Sequence, residues 1–219
     1  MAALGNPMEW EERATPMSEA FQIEPMVTIE EFDAFLNGQP DSTQWELVAG
    51  RIVARSNPNE RHEQIASNLG APLKLAMDTQ ECRTYLGGMG VQLTESRTGE
   101  NRLRPDVVVR CGPVGDRNFV TDPIVVAEVL SPSTMDYDRG EKLVFYKQLP
   151  TLRHIVLIYQ DRMCVEHFQR IDDEWSWETL TQPDDELVLE AVGFTIALNR
   201  VYFAIDLSNV HRISHRGWN

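Results

Sequence analysis

The run Pro123–Leu130, with the sequence Pro-Ile-Val-Val-Ala-Glu-Val-Leu, constrains the fold of this chain more than any other segment. Apolar residues flank Glu128 on both sides, which is typical of a central strand that is buried on both faces. A carboxylate that is buried without a partner is costly, so it must be neutralised, paired or bound to a cation. The run therefore predicts a central strand with a functional or ion-paired acid. The alternative is an edge strand with Glu128 on its solvent face.

A second carboxylate and a lysine flank this strand in the sequence. Asp106 begins the apolar run 107–109, although an acid after a proline is more often a turn or cap residue. Lys142 falls in a helical pattern over residues 135–149. Its simpler interpretation is a solvated lysine that pairs with Asp138, four residues earlier on the same helix face.

Two acids on neighbouring strands and a lysine on the next helix predict a metal site for hydrolysis. Carboxylate oxygens and water are the ligands that Mg²⁺ prefers. Such an ion polarises a phosphoryl oxygen and lowers the pKa of a bound water. A nearby lysine can orient the attacking water and offset the developing negative charge.

The rest of the chain predicts a mixed α/β or α+β fold in one domain. The predicted elements are a capped helix at residues 28–36, a hairpin at 45–54, a long helix at 62–77 that Pro72 kinks or breaks, a second hairpin at 82–93 and a late strand meander at 153–189. We expect a flexible tail over residues 1–25, a single domain over 26–207 and a frayed tail over 208–219.

Composition limits the partners that this chain can bind. The 219 residues carry a formal net charge of −14, whereas proteins that bind phosphate backbones usually show a basic patch. Such a patch would be local, or supplied by a partner or a second subunit. Basic residues near the predicted site are Arg102, Arg104, Arg139, Lys142 and Lys147. Trp175 and Trp177 share one face of a predicted strand, where they pack internally or cover a homodimer contact.

The cysteines and the hydropathy pattern bear on the compartment. Three scattered cysteines without a CxxC pair predict free thiols in a reducing cytosol. No apolar run approaches the roughly 20 residues that span a membrane, and residues 1–25 show no apolar signal segment. We therefore expect a cytoplasmic protein that does not contact membranes.

Several segments together resemble the Uma family of restriction-endonuclease-like proteins, in the PD-(D/E)XK nuclease superfamily. The resemblance covers about residues 27–205. It rests on His62 at the start of the long helix and on four motifs: Trp45-Glu-Leu-Val-Ala-Gly50, Arg104-Pro-Asp106, Val126-Ala-Glu-Val-Leu-Ser-Pro-Ser133 and Asp138–Tyr146. The segment around Glu128 is the most specific of these. The chain departs from the family pattern with Trp45 for a tyrosine and Ala49 for an acid.

The resemblance implies a restriction-endonuclease-like core with a central mixed sheet, flanking helices and an added N-terminal hairpin. It implies metal ligands at Asp106, Glu128 and Glu46, a catalytic Lys142 and an accessory His62. Leu130 stands where the superfamily usually has a lysine, and Lys142 on the following helix matches the family's alternative position.

The implied activity is hydrolysis of DNA phosphodiester bonds with Mg²⁺, for which Mn²⁺ could substitute. The alternative is a catalytically silent nuclease-fold module that binds nucleic acid or a protein partner. The intact set of candidate residues favours the enzyme, and the acidic net charge favours the silent module.

Overall fold

The structure is a computed structural model that describes residues 26–40, 44–55, 57–78, 81–93, 100–131 and 138–208. The tails predicted at residues 1–25 and 208–219 lie outside this range, except for Ser208. Residues 132–137, between the Glu128 strand and the Lys142 helix, lie outside it too.

Two long runs of strands follow the first two helices. The helices are α1 (Ile29–Leu36), α2 (Glu60–Met77), α3 (Leu143–Gln148) and α4 (Leu198–Val201), with a π-helical turn at Asp138–Lys142 and a 3-10 turn at Glu190–Val192. The strands are β1 (Trp45–Val48), β2 (Arg51–Ala54), β3 (Cys82–Leu86), β4 (Gly90–Leu93), β5 (Asn101–Leu103), β6 (Val107–Cys111), β7 (Phe119–Val120), β8 (Val125–Leu130), β9 (His154–Tyr159), β10 (Val165–Ile171), β11 (Glu174–Leu180), β12 (Glu186–Leu189) and β13 (Phe194–Ala197).

A six-stranded mixed sheet lies at the centre of the fold. Its strand order is β11-β10-β9-β8-β6-β3, and only β8 and β9 pair in parallel. A five-stranded sheet has the order β2-β1-β5-β4-β7, and β12 pairs with β13 separately. The hairpin of β1 and β2 that was predicted near the N-terminus is therefore the edge of the second sheet.

Two apolar clusters cover the two faces of the central sheet. One packs it against α2, α4 and the β12–β13 pair, and the other packs it against α3 and the five-stranded sheet. Strand β8 is buried at all six positions, as its sequence predicts. Because side chains alternate along a strand, Glu128 faces the same side as Val126 and Leu130, which belong to the second cluster.

Local signals explain where the first helices begin. Thr28 Oγ1 accepts a hydrogen bond from the Glu31 N–H at 3.2 Å, and Glu31 Oε2 accepts one from the Thr28 N–H at 2.8 Å. This is the predicted capping box. Helix α2 runs through Pro72 without a break, so the helix does not end at this proline.

The predicted second hairpin is also wrong. Gly87 and Gly88 do reverse the chain, with φ of 59° and 76° that suit glycine. Strands β3 and β4 on either side of this turn nevertheless belong to different sheets. A glycine turn specifies a change of direction, but the pairing depends on packing elsewhere.

The thiol prediction is wrong for two of the three cysteines. Cys82 and Cys111 form a disulfide, and they occupy opposite positions on β3 and β6. Cys164 is free and buried. The pairing depends on a strand register that the spacing of the cysteines does not reveal. The thiol argument for a reducing compartment therefore does not apply to Cys82 and Cys111. In the described part of the chain, no helix is long and apolar enough to cross a membrane.

Candidate active site

Charged side chains are buried where the chain passes from one large sheet to the other. Strand β5 of the five-stranded sheet leads through Arg104, Pro105 and Asp106 directly into β6 of the central sheet. Glu46 on β1, Asp106 and Glu128 are 2%, 7% and 2% exposed. Three carboxylates so deeply buried must be compensated by cations or hydrogen-bond donors.

Strand register brings Asp106 beside Glu128. Strands β6 and β8 are antiparallel, and Val107 lies opposite Ala127. Continuing this register by one residue places Asp106 next to Glu128. The Val129 N–H donates a hydrogen bond of 2.7 Å to Asp106 Oδ2, which fixes the carboxylate against β8.

Asp106 has two further partners. Arg55 Nη2 donates to Asp106 Oδ1 at 2.8 Å, and His62 Nε2 lies 3.2 Å from Oδ2. Burial acts to raise the pKa of Asp106. The hydrogen bond and charge of His62, the charge of Arg55 and the Val129 N–H outweigh burial and lower this pKa to about 2. Asp106 is therefore ionised at neutral pH.

His62 is held by the start of α2. The Asn59 side chain caps the helix by accepting from the His62 N–H at 2.9 Å. The side chain is 10% exposed, and its Nδ1 has no hydrogen-bond partner among the described residues. His62 therefore contacts the acidic cluster through Nε2 alone.

Glu128 is held by two residues of the segment that follows its strand. Lys142 Nζ donates to Glu128 Oε1 at 3.3 Å, and the Tyr146 hydroxyl donates to the same oxygen at 2.6 Å. Lys142 ends the π-helical turn, and Tyr146 lies one helical turn later on α3. Both side chains therefore approach Glu128 from the same face.

Lys142 also binds the third carboxylate. Its Nζ lies 3.2 Å from both Oε1 and Oε2 of Glu46, and the Arg104 N–H donates to Glu46 Oε1 at 2.7 Å. Lys142 is only 3% exposed. The interpretation as a solvated surface lysine is therefore wrong, and the amine bridges Glu46 and Glu128.

Two ion pairs anchor the turn that carries Lys142. Arg139 donates to both carboxylate oxygens of Glu166 on β10, at 2.9 and 3.1 Å. Glu141 accepts from Arg51 on β2 at 2.6 Å. The turn is thus tied to both large sheets.

Arg55 and Tyr146 belong to this cluster, although the sequence analysis did not select them. Arg55 follows β2, where Val53 lies opposite Glu46. Since strand side chains alternate, the spacing of two from Val53 places Arg55 on the face of Glu46. Tyr146 lies four residues after Lys142, which is the spacing of neighbours on a helix face. These two spacings are the sequence signals that could have identified them.

The donor set fits a divalent cation by its chemistry. Carboxylate oxygens are the protein ligands that Mg²⁺ prefers. Glu46, Asp106 and Glu128 already attract two cationic side chains, Arg55 and Lys142. In the arrangement shown, no group of three or more His, Cys, Asp or Glu side chains among the described residues is placed to hold a metal ion.

The fold of this chain is shared with a protein of known structure. The chain resembles a crystal structure from Anabaena variabilis, described as "a putative nuclease belonging to DUF820", with a TM-score of 0.65 and 16% identity. The match covers 78% of this chain and 96% of that one. At this identity, the likeness shows a shared fold.

Sequence comparison identifies the family. The family model Uma2, described as "Putative restriction endonuclease", matches residues 29–199, so the chain belongs to the Uma2 family. Two uncharacterized proteins of Synechocystis sp. are each 30% identical to it. The protein slr1290 aligns over 160 residues, which are 72% of this chain and 82% of the relative. The protein sll1609 aligns over 135 residues, which are 59% and 75%. The resemblance found in the sequence is confirmed.

Proposed function

We propose that this protein is a Mg²⁺-dependent endonuclease that hydrolyses phosphodiester bonds of DNA, and that Mn²⁺ can replace Mg²⁺. The observation that carries the proposal is the bridge of Lys142 between Glu46 and Glu128, beside Asp106. Three buried carboxylates and a buried amine are a costly arrangement, because each charge must be compensated away from water. A binding or catalytic role explains why such charges lie inside an otherwise apolar junction.

Asp106 and Glu128 would hold the ion, with Glu46 as a further ligand. The ion would polarise a phosphoryl oxygen and lower the pKa of a bound water.

Lys142 and Tyr146 supply positive charge and hydrogen bonds at the same place. The Lys142 amine has three N–H donors, so an attacking water would replace Glu46 on the amine while the contact to Glu128 stays. It can also offset the negative charge that develops on a phosphate during hydrolysis. Tyr146 fixes the Glu128 carboxylate through its 2.6 Å hydrogen bond.

Family membership and local arginines support DNA as the substrate. Arg51 and Arg139 flank the Lys142 turn, and their side chains are 61% and 49% exposed. Arginine binds phosphate in a bidentate manner, and a DNA phosphate would take the place of Glu141 and Glu166, the present partners of this pair. A cytoplasmic location and a homodimer stay predictions.

Nicking of supercoiled plasmid tests the proposal. We expect the wild-type protein to nick the plasmid with Mg²⁺ or Mn²⁺ and to lose this activity with EDTA. Glu128→Gln and Asp106→Asn should abolish nicking, because each substitution replaces a carboxylate of the cluster. Glu174→Gln, an exposed position on β11, is the control that should retain it. Equal nicking by all four proteins would contradict the proposed site.

A silent nuclease-fold module is the second candidate function. The cations inside the cluster favour this silent module, because Arg55 and Lys142 compensate the carboxylates without a metal. On this alternative, no wild-type cleavage would occur with any metal, and Mn²⁺ would not bind in calorimetry. Metal binding together with nicking would exclude it.

A further inference from the structure

The guanidinium of Arg55 is a cation inside the acidic cluster. Besides its 2.8 Å hydrogen bond to Asp106 Oδ1, its Nε lies 4.0 Å from Glu46 Oε1. Burial acts to lower the pKa of Arg55, but the charges of Glu128, Asp106 and Glu46 outweigh it and raise this pKa. The arginine therefore lies against two of the three carboxylates of the proposed ion site, Asp106 and Glu46, and within the electrostatic field of Glu128.

The two oxygens of Asp106 have different partners. Oδ2 accepts from the Val129 N–H at 2.7 Å and lies 3.2 Å from His62 Nε2, so it is fixed by β8 and α2. Oδ1 accepts from Arg55. Oδ1 is thus the oxygen of Asp106 whose described partner sits on a long, flexible side chain. A cation that binds Asp106 through Oδ1 would meet the guanidinium.

The side chain of Arg55 is more exposed than that of Lys142, the other cation of the cluster. Arg55 follows the last residue of β2, and 18% of its side chain is exposed. Its Nη1 also donates a weak hydrogen bond of 3.4 Å to Gln44 Oε1, so the guanidinium has one partner that is not a carboxylate. Lys142, by contrast, is 3% exposed and lies at the end of a turn that is anchored to both large sheets.

We propose that Arg55 is a built-in competitor of the divalent ion. Its guanidinium compensates the acidic cluster in the metal-free protein, and the ion must displace it from Asp106 in order to bind. Two cations on one carboxylate oxygen repel each other in a site of low dielectric constant, so the guanidinium and the ion exclude each other. The inference rests on the proposed function in one respect, because it uses the same carboxylates as the ion site.

Calorimetry with Mn²⁺ tests the competition without any activity assay. Arg55→Met keeps the apolar stem and removes the charge. We expect this variant to bind Mn²⁺ about tenfold more tightly than the wild type, because the ion no longer has to displace the guanidinium; tenfold corresponds to about 1.4 kcal/mol. Its metal-free form should melt at a lower temperature, and its melting temperature should rise more on adding Mn²⁺ than that of the wild type.

An arginine outside the cluster provides the matched control. Arg200 lies at an exposed position of α4. Arg200→Met removes the same charge by the same substitution, so it should leave Mn²⁺ affinity close to that of the wild type. An equal gain in both variants would mean that only net charge matters, and would overturn the inference.

Arg55→Gln guards against a folding defect. Glutamine can still donate a neutral hydrogen bond to Asp106 Oδ1, so this variant should fold where methionine does not. It should likewise bind Mn²⁺ more tightly than the wild type. Wild-type affinity in a folded Arg55 variant overturns the competition and leaves the proposed function standing. Absence of Mn²⁺ binding in wild type and variants alike overturns both.

Discussion

Lys142 Nζ lies 3.3 Å from Glu128 Oε1, and the two residues are only 3% and 2% exposed. This ion pair joins the central strand to the turn that precedes α3. Surface ion pairs contribute little, but a buried pair that loses one partner leaves an uncompensated charge in a medium of low dielectric constant. This lysine therefore stabilises the junction, in addition to any catalytic role that it has.

Lys142→Met should destabilise the protein strongly. Removing one partner of a buried ion pair typically costs about 3–5 kcal/mol, and Lys142 serves two carboxylates, Glu46 and Glu128. Urea unfolding followed by circular dichroism would measure the change in the free energy of unfolding. Lys74→Met, at an exposed position of α2, is the control and should differ little from the wild type. A loss below about 1 kcal/mol for Lys142→Met would show that the carboxylates find other compensation.

Glu128→Gln should remove the stabilisation that a divalent ion provides. A ligand that binds only the folded state at one hundred times its Kd stabilises that state by about 2.7 kcal/mol. We expect saturating Mn²⁺ to raise the melting temperature of the wild type and to leave that of Glu128→Gln nearly unchanged. Glu63→Gln, whose side chain is 62% exposed, should keep the wild-type shift. An equal shift in Glu128→Gln would place the bound ions elsewhere on the acidic surface.

Short-range sequence patterns predicted the central parts of the site. An uninterrupted apolar run made β8 a buried strand, and Glu128 within it required compensation. The capping box at Thr28 and the turn at Gly50 likewise depend on residues that are adjacent in the sequence. Such features follow from backbone conformation and burial alone, so a single sequence reveals them.

Features that depend on how the two sheets meet were not predictable in the same way. Arg55 looks like a surface residue after a hairpin, and only the packing of β1 beside β5 brings it to Asp106. The disulfide of Cys82 and Cys111 depends on the register between β3 and β6. Contacts between residues far apart in the chain require a topology that local propensity does not specify.

Because folding lowers the pKa of Asp106, part of the free energy of unfolding depends on pH in the acidic range. Its pKa falls from 3.8 to about 2 on folding, so the contribution is complete above pH 3.8 and is lost as the pH falls towards 2. The shift corresponds to roughly 2 kcal/mol. We expect the difference in unfolding free energy between the wild type and Asp106→Asn to shrink by this amount over that interval. Urea unfolding at closely spaced pH values would measure it, and a constant difference would contradict the assignment.

A buried histidine pair predicts a second, separate pH dependence. His154 Nε2 accepts from the Ala191 N–H at 3.1 Å, so the neutral ring carries its proton on Nδ1 and donates it to His167 Nε2 at 3.0 Å. His167 in turn lies 3.0 Å from Glu178 through its Nδ1. Both rings are satisfied in the core, as their positions in apolar strands suggest, and a further proton on His154 would have to be accommodated at a nitrogen that already accepts a hydrogen bond.

Protonation of the unfolded chain should therefore destabilise the fold well above the range of Asp106. Burial, followed by the charge of His167, lowers the pKa of His154 from 6.5 to about 4. Between these values the unfolded state binds more protons than the folded one, so stability is complete above pH 6.5 and falls as the pH drops to 4. The shift corresponds to about 3 kcal/mol. His154→Gln keeps an acceptor for Ala191 and removes the titration, so its unfolding free energy should vary less between pH 7 and 4 than that of the wild type. Parallel pH profiles for the two proteins would show that His154 does not titrate as its burial requires.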